Sequence, residues 1–138
     1  NDLMGTNIKA PLFLSQACYP ALKQSRGNII NMVDIHARSP LKDHITYSCA
    51  KAAKAMLTRS LALEMGPEVR VHAIAPGVIL WPENEVGKET PEQQEILQQV
   101  PLQRIGHPQD IANTILYLLT TDYVNGQIIA VDGGRQLF

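Results

Sequence analysis

The chain has 138 residues, of which 45% are apolar, and its 12 basic and 13 acidic side chains give a formal net charge of −1. This composition can fill the core of one domain, and it excludes an extended disordered chain. No basic cluster indicates nucleic-acid binding, no apolar run approaches the ~18 residues that span a bilayer, and no secretory signal is recognisable. Cys18 and Cys49 lack metal-ligand spacing, so we expect reduced thiols, no metal site and a cytoplasmic protein.

The predicted elements alternate between helix and strand. Apolar residues at helical spacing predict a helix over residues 3–25, in which Pro11 lacks the N–H that would bond the carbonyl of Asn7. We therefore expect a kink and a free acceptor at Asn7. The other predicted elements are strands at residues 28–33, 69–75 and 127–131, helices at residues 46–65, 91–99 and 108–120, and a loop at residues 78–90. Continuously apolar strands between helices indicate an α/β fold with a parallel sheet covered on both faces.

Tyr47 and Lys51 are the first candidates for chemistry. They lie four residues apart in a predicted helix, so their side chains share one face. A neighbouring cation favours the phenolate, and we expect Lys51 to lower the pKa of Tyr47 toward the range of a useful acid. Asp34 and Pro76-Gly77 directly follow strands, and sites in parallel sheets form at the carboxyl ends of strands. We therefore predict that these residues meet near Tyr47, although the Tyr-Lys spacing alone also fits an ordinary surface pair.

Together these features resemble the short-chain dehydrogenase/reductase family. The matching features are Asn7 in a proline-interrupted helix, the strand at residues 28–33, Tyr47 with Lys51, Pro76-Gly77, and residues 104–112 and 131–134. The resemblance implies a Rossmann-type doubly wound parallel sheet, of which residues 1–138 would form the C-terminal part with three strands and flanking helices. No glycine-rich phosphate loop follows a strand. We therefore expect the N-terminal cofactor-binding half to be absent and the isolated fragment to be inactive.

The resemblance also implies a role for individual residues. Tyr47 would be the acid, Lys51 would bind the nicotinamide ribose, and Asn7 would hold a water in a proton relay. The cofactor would be NADPH, with NAD left open, and the assembly would be a homotetramer. The residues around the nicotinamide would be Met32, Pro76, Gly77, Val78 and Ile79.

Two departures from the common family pattern sharpen the prediction. Asp34 stands thirteen residues before Tyr47, where most of the family has a serine that bonds the substrate carbonyl. A carboxylate repels a developing alkoxide, but it suits ring nitrogens and amino groups that donate protons. Leu80 replaces the usual threonine after Pro-Gly and is followed by Trp81. With these residues the chain is similar to the pteridine reductases, including bacterial dihydromonapterin reductases. This resemblance implies that a pterin would contact Asp34, Tyr47, Leu80 and Trp81 of this chain.

The sequence therefore predicts an NADPH-dependent reductase of a dihydropterin, of the dihydromonapterin or dihydrobiopterin type. Two alternatives stay open: a short-chain reductase of ketones or 3-oxoacyl thioesters, and a non-catalytic nucleotide-binding or scaffold protein. Asp34 could instead cap the strand-to-loop turn, and Trp81 could anchor its loop on the protein's own surface. His36 and His44 flank the site segment and are predicted to be loop residues without a catalytic role.

Overall fold

The computed structural model describes residues 2–81, 86–87 and 89–138. The helices are α1 (Asp2–Met4), α2 (Ala10–Ser25), α3 (Ile45–Met65), α4 (Pro91–Gln98) and α5 (Pro108–Thr120). The strands are β1 (Asn28–Met32), β2 (Arg70–Pro76) and β3 (Ile128–Val131). A π-helix (Gly5–Lys9) joins α1 to α2, and short 3₁₀ turns occur at Ile35–Ala37 and Arg135–Leu137. Part of the predicted loop at residues 78–90 lies outside the described residues.

The three strands form one parallel sheet in the order β1-β2-β3. Ile30 of β1 pairs with His72 of β2, and Ile74 of β2 pairs with Ile129 of β3. The central strand β2 is buried at five consecutive positions, as expected of a strand covered on both faces. The predicted α/β fold with a parallel sheet is confirmed, and the observed strand bounds lie within one residue of the predicted ones.

The two faces of β2 pack against different helices because successive side chains point to opposite faces. On one face, Val71 packs in a core cluster with Leu61, Ala62 and Met65 of α3. On the other face, the Arg70 guanidinium donates to the carbonyl of Leu118 at 3.1 Å, near the C-terminal end of α5. Within the described residues, none of the helices combines the length and apolar character needed to cross a bilayer.

The predicted helix over residues 3–25 is present, and its regular pattern is interrupted around Asn7, where an irregularity is predicted, by a π-helix. The chain forms α1, then the π-helix, then α2, and the N–H of Ala10 donates to the carbonyl of Gly5, five residues back. Pro11 lies in the first turn of α2, where a helix tolerates the missing N–H. Asn7 is buried in the π-helix, and its side-chain amide donates to the carbonyl of Leu3 at 2.9 Å.

Helix α4 begins as the sequence predicts. The Thr90 side chain accepts a hydrogen bond from the backbone N–H of Gln93 at 3.2 Å, and Pro91 occupies the first helical position. The observed bounds of α3, α4 and α5 agree with the predicted helices to within one residue at each end. This frame places the loops after β1, β2 and β3 at one edge of the sheet.

Candidate active site

An open groove of about 750 Å³ lies at the carboxyl edge of the sheet. Asp34 follows β1, Pro76 ends β2, and both line this groove. Gly77 lies against Asp132, which follows β3, so closely that a Cβ on Gly77 would be 2.7 Å from the Cβ of Asp132. Real Cβ atoms do not approach at that distance, so the close approach of the β2 and β3 ends depends on glycine at this position.

Asp34 and Tyr47 are joined by a short hydrogen bond. The Tyr47 hydroxyl donates to Oδ2 of Asp34 at 2.5 Å, a distance typical of a hydroxyl bonded to a charged acceptor. The other carboxylate oxygen, Oδ1, accepts from the backbone N–H of His36 at 2.7 Å and caps the 3₁₀ turn. The capping role that the sequence left open for Asp34 is therefore present together with the contact to Tyr47.

The pKa of Tyr47 is raised to about 12, whereas the sequence predicts that Lys51 lowers it. Burial is the largest cause, followed by the hydrogen bond to Asp34 and by the negative charge of Asp34. The Lys51 ammonium lies 5.5 Å from the centroid of the Tyr47 ring, in a cation–π arrangement. The prediction fails because burial disfavours the charged phenolate, and the carboxylate that contacts the phenol oxygen directly also favours the protonated form.

The structure brings together most of the residues that the sequence predicts for the cofactor and the substrate. The groove is lined by Met32, Asp34, Pro76, Gly77, Val78, Ile79, Leu80 and Trp81. Leu80 is 70% exposed, so much of its surface faces solvent. Tyr47 does not itself line the groove, but its hydroxyl contacts Asp34, which does.

Asn7 and Lys51 are placed differently from these lining residues. Lys51 contacts the Tyr47 ring from α3, one helical turn after it. Asn7 lies in the π-helix that packs against α3, and within the described residues no hydrogen bond joins its side chain to Tyr47, Lys51 or Asp34. Its predicted place in a proton relay remains a prediction.

The groove also contains residues to which the sequence analysis assigned no place in the site. His36 lines it and its Nδ1 lies 3.0 Å from the carbonyl of Ser39, and Arg135 lines it from the turn after β3. The rule that sites form at the carboxyl ends of strands points to this turn as well as to Asp34 and Gly77. Among the described residues, no group of three or more His, Cys, Asp or Glu side chains could hold a metal ion.

A parallel α/β sheet with a tyrosine, a lysine and a carboxylate at its carboxyl edge is the architecture of a Rossmann-type enzyme. The family profile described as enoyl-(acyl carrier protein) reductase matches residues 1–136. The chain belongs to the short-chain dehydrogenase/reductase family.

Similar proteins carry several different activities. The chain is 34% identical to a dihydromonapterin reductase from Klebsiella pneumoniae, over 99% of this chain and 57% of that protein. It is 37% identical to a 7α-hydroxysteroid dehydrogenase from Escherichia coli, over 93% of this chain and 52% of that protein. The structure of an oxidoreductase from Haemophilus influenza with bound NAD superposes with a TM-score of 0.87 at 29% identity, covering 98% of this chain and 52% of that one. The chain spans about half the length of the curated relatives it matches.

Proposed function

We propose that this chain carries the proton-transfer site of an NADPH-dependent reductase that converts a dihydropterin to a tetrahydropterin. The observation that carries the proposal is the 2.5 Å hydrogen bond from the Tyr47 hydroxyl to Asp34 at the edge of the groove. A similar protein, 34% identical, is a dihydromonapterin reductase. The proposed substrates are dihydromonapterin, dihydrobiopterin and related dihydropterins.

Asp34 and Tyr47 would act as one proton-donating pair. With a pKa of about 12, Tyr47 is fully protonated at neutral pH, as a proton donor must be. The carboxylate of Asp34 would accept hydrogen bonds from the amino and N–H groups of a pterin, whereas it would repel the oxyanion that forms from a ketone. An imine nitrogen is also a stronger base than a carbonyl oxygen, so a weak acid such as this phenol suits a pterin better than a ketone.

The groove fits a nicotinamide ring. Pro76, Gly77, Val78 and Ile79 form a wall without charged side chains, and Met32 adds to it from the end of β1. Within the described residues, no carboxylate lies within ion-pair distance of the Lys51 ammonium, so Lys51 can bond a ribose hydroxyl. NADPH, when bound, would supply the hydride. Leu80 and Trp81 would cover the flat pterin ring, and Asn7 would hold a water of the proton relay.

The proposed assembly is a homotetramer in the cytoplasm. Large apolar side chains are exposed on two neighbouring helices, among them Phe13 and Leu14 of α2 and Leu63 of α3, which is 83% exposed. Such a surface is typical of a protein–protein contact. Cys18 and Cys49 are free thiols, which suits a reducing compartment.

A second candidate function is the reduction of a ketone or a 3-oxoacyl thioester. The 37% identity to a 7α-hydroxysteroid dehydrogenase favours it, because that name describes chemistry at an alcohol carbon. The two candidates are separated by following oxidation of NADPH and NADH by the full-length protein that contains this chain, with dihydromonapterin, dihydrobiopterin and an acetoacetyl thioester in parallel. Turnover of a dihydropterin with NADPH is expected. Turnover of the thioester alone would refute the pterin proposal, and no turnover at all would favour a non-catalytic binding protein.

The role of Tyr47 is tested by Tyr47→Phe. This variant should lose about 10²- to 10⁴-fold in kcat, because the donor proton is gone, while NADPH still binds with unchanged affinity. Tyr123→Phe is the matched control, since Tyr123 is 98% exposed, and it should leave kcat unchanged. Equal turnover of Tyr47→Phe and the wild type would contradict the assignment.

A further inference from the structure

Arg135 brings a positive charge to the active-site groove for which the proposed reaction has no use. It begins the short turn Arg135–Leu137 after β3, is half-buried, and lines the groove. Among the described residues, the ion pairs join Lys23 to Glu68 and Arg104 to Asp110, and none involves Arg135. Its guanidinium therefore has no carboxylate partner in the part of the chain that the structure describes.

The other polar groups of the groove form no ion pair with Arg135 among the described residues. Asp34, the carboxylate that lines the same groove, accepts hydrogen bonds from Tyr47 and from the backbone of His36. His36 contacts the carbonyl of Ser39 through Nδ1, so this nitrogen carries the proton and donates. Most of the remaining lining is apolar, with Met32, Pro76, Val78 and Ile111 among its members. The groove thus combines an apolar wall with an unpaired cation.

The positions of Asp34 and Arg135 set the direction in which a substrate would lie. Asp34 follows β1 and Arg135 lies beyond β3, with the end of β2 between them. Two inter-strand spacings correspond to about 10 Å. A ring held at Asp34 and Tyr47 with its substituent crossing the end of β2, beside the proposed nicotinamide position, would bring that substituent to Arg135.

We propose that Arg135 determines specificity for a pterin whose side chain carries an anionic group, either a phosphate or a carboxylate. This inference rests on the proposed pterin reductase function. The planar guanidinium of arginine pairs with both anions through two parallel hydrogen bonds. An anionic substrate would bind at Arg135 without altering the proton transfer between Tyr47, Asp34 and the ring.

The test compares three substrates of the full-length protein that contains this chain. They are 7,8-dihydroneopterin, which has an uncharged side chain, its triphosphate ester, and dihydrofolate, which carries carboxylates. Arg135→Gln should raise KM by roughly tenfold for one or both anionic substrates, with little change in kcat and no change in KM for dihydroneopterin. A rise for the triphosphate alone assigns a phosphate site, and a rise for dihydrofolate alone assigns a carboxylate site. Arg135→Lys should restore part of the affinity, because it keeps the charge and loses the planar pairing.

Arg26→Gln is the matched control, since Arg26 is exposed just after α2 and does not line the groove. It should leave all three KM values unchanged. The inference is overturned if Arg135→Gln changes KM equally for charged and uncharged substrates, changes it for none, or raises KM for NADPH instead. If the wild type reduces none of these pterins, the proposed function fails and the specificity inference fails with it. Turnover of pterins that does not depend on Arg135 would overturn the inference alone.

Discussion

Replacement of Asp34 by asparagine should lower the pKa of Tyr47. Asparagine keeps an oxygen that can accept from the backbone N–H of His36, so the cap of the 3₁₀ turn is retained while the negative charge is removed. The group that then faces the Tyr47 hydroxyl is the side-chain NH2, which donates to the phenol oxygen instead of accepting from it. The variant thus removes both the negative charge and the acceptor that favour the protonated phenol.

The expected change is set by the causes of the raised pKa. The pKa of Tyr47 is about 12 against an ordinary value of 10.0, and burial, which the variant keeps, is the largest single cause of the increase. We therefore expect the midpoint to fall by roughly one pH unit and to stay above the ordinary value. One pH unit corresponds to ~1.4 kcal/mol at full strength, and solvent screening at this half-buried position reduces that figure.

The assay is a pH titration followed by the near-ultraviolet absorbance of phenolate. The chain has four tyrosines, so the curve of Tyr47 is obtained by subtracting the curve of Tyr47→Phe in the wild-type background, and the same is done in the Asp34→Asn background. Asp122→Asn, at an exposed position, is the control and should not move the midpoint. A midpoint that is unchanged or higher in Asp34→Asn would refute the reasoning that Asp34 favours the protonated phenol.

Three further predictions concern stability, and chemical denaturation measures each of them. Burial lowers the pKa of His72, so as the pH falls below about 6.5 the unfolded state takes up a proton before the folded state does. The free energy of unfolding should therefore decrease below that pH, and it should decrease less steeply in His72→Gln. Gly77→Ala should cost ~1–3 kcal/mol because its Cβ would overlap Asp132, whereas Gly5→Ala, with nothing within 4 Å, should be tolerated. Arg70→Gln should cost ~1.5–3 kcal/mol, since Arg70 bonds carbonyls at the end of α5.

The fold is largely predictable because its signals are local. The three strands and the helices α3 to α5 follow from apolar runs, proline and glycine positions and the Thr90 cap. The π-helix at Gly5–Lys9 could not be predicted, because a single turn bonded to the fifth residue back is too short to show an apolar period of its own. Pro11 signals only that the regular pattern is interrupted, and it does not say how the backbone adjusts.

The sequence predicts which residues form the site better than it predicts how their charges change the pKa of Tyr47. The spacing of Tyr47 and Lys51 correctly places both on one face of a helix, but it does not say which end of the phenol the ammonium approaches. The carboxylate of Asp34 comes from the end of a distant strand, and its direct contact with the hydroxyl adds to burial in raising the pKa of Tyr47. A long-range contact of this kind is absent from any local pattern.

Arg135, which follows β3 at the same carboxyl edge, illustrates the same limit of prediction from sequence. Its position just after Asp132-Gly133-Gly134 places it at the carboxyl edge of β3, but only the turn of the backbone there shows that it lines the groove. Gly134, at φ 91°, adopts a conformation that favours glycine and directs the chain into this turn. The sequence thus indicates the edge of the sheet, and the fold decides which side chains share the groove.

The most direct test of the central claim is the substrate preference of Asp34→Ser in the full-length protein that contains this chain. The measurement is the ratio of kcat/KM for dihydromonapterin to kcat/KM for an acetoacetyl thioester, with NADPH saturating in both reactions. The pairing of Asp34 with Tyr47 predicts that the wild type prefers the pterin and that this ratio falls by roughly tenfold or more in the variant, with NADPH binding retained. A wild type that prefers the thioester, or a ratio that Asp34→Ser leaves unchanged, would contradict the claim that the carboxylate and phenol form a pterin-specific proton donor.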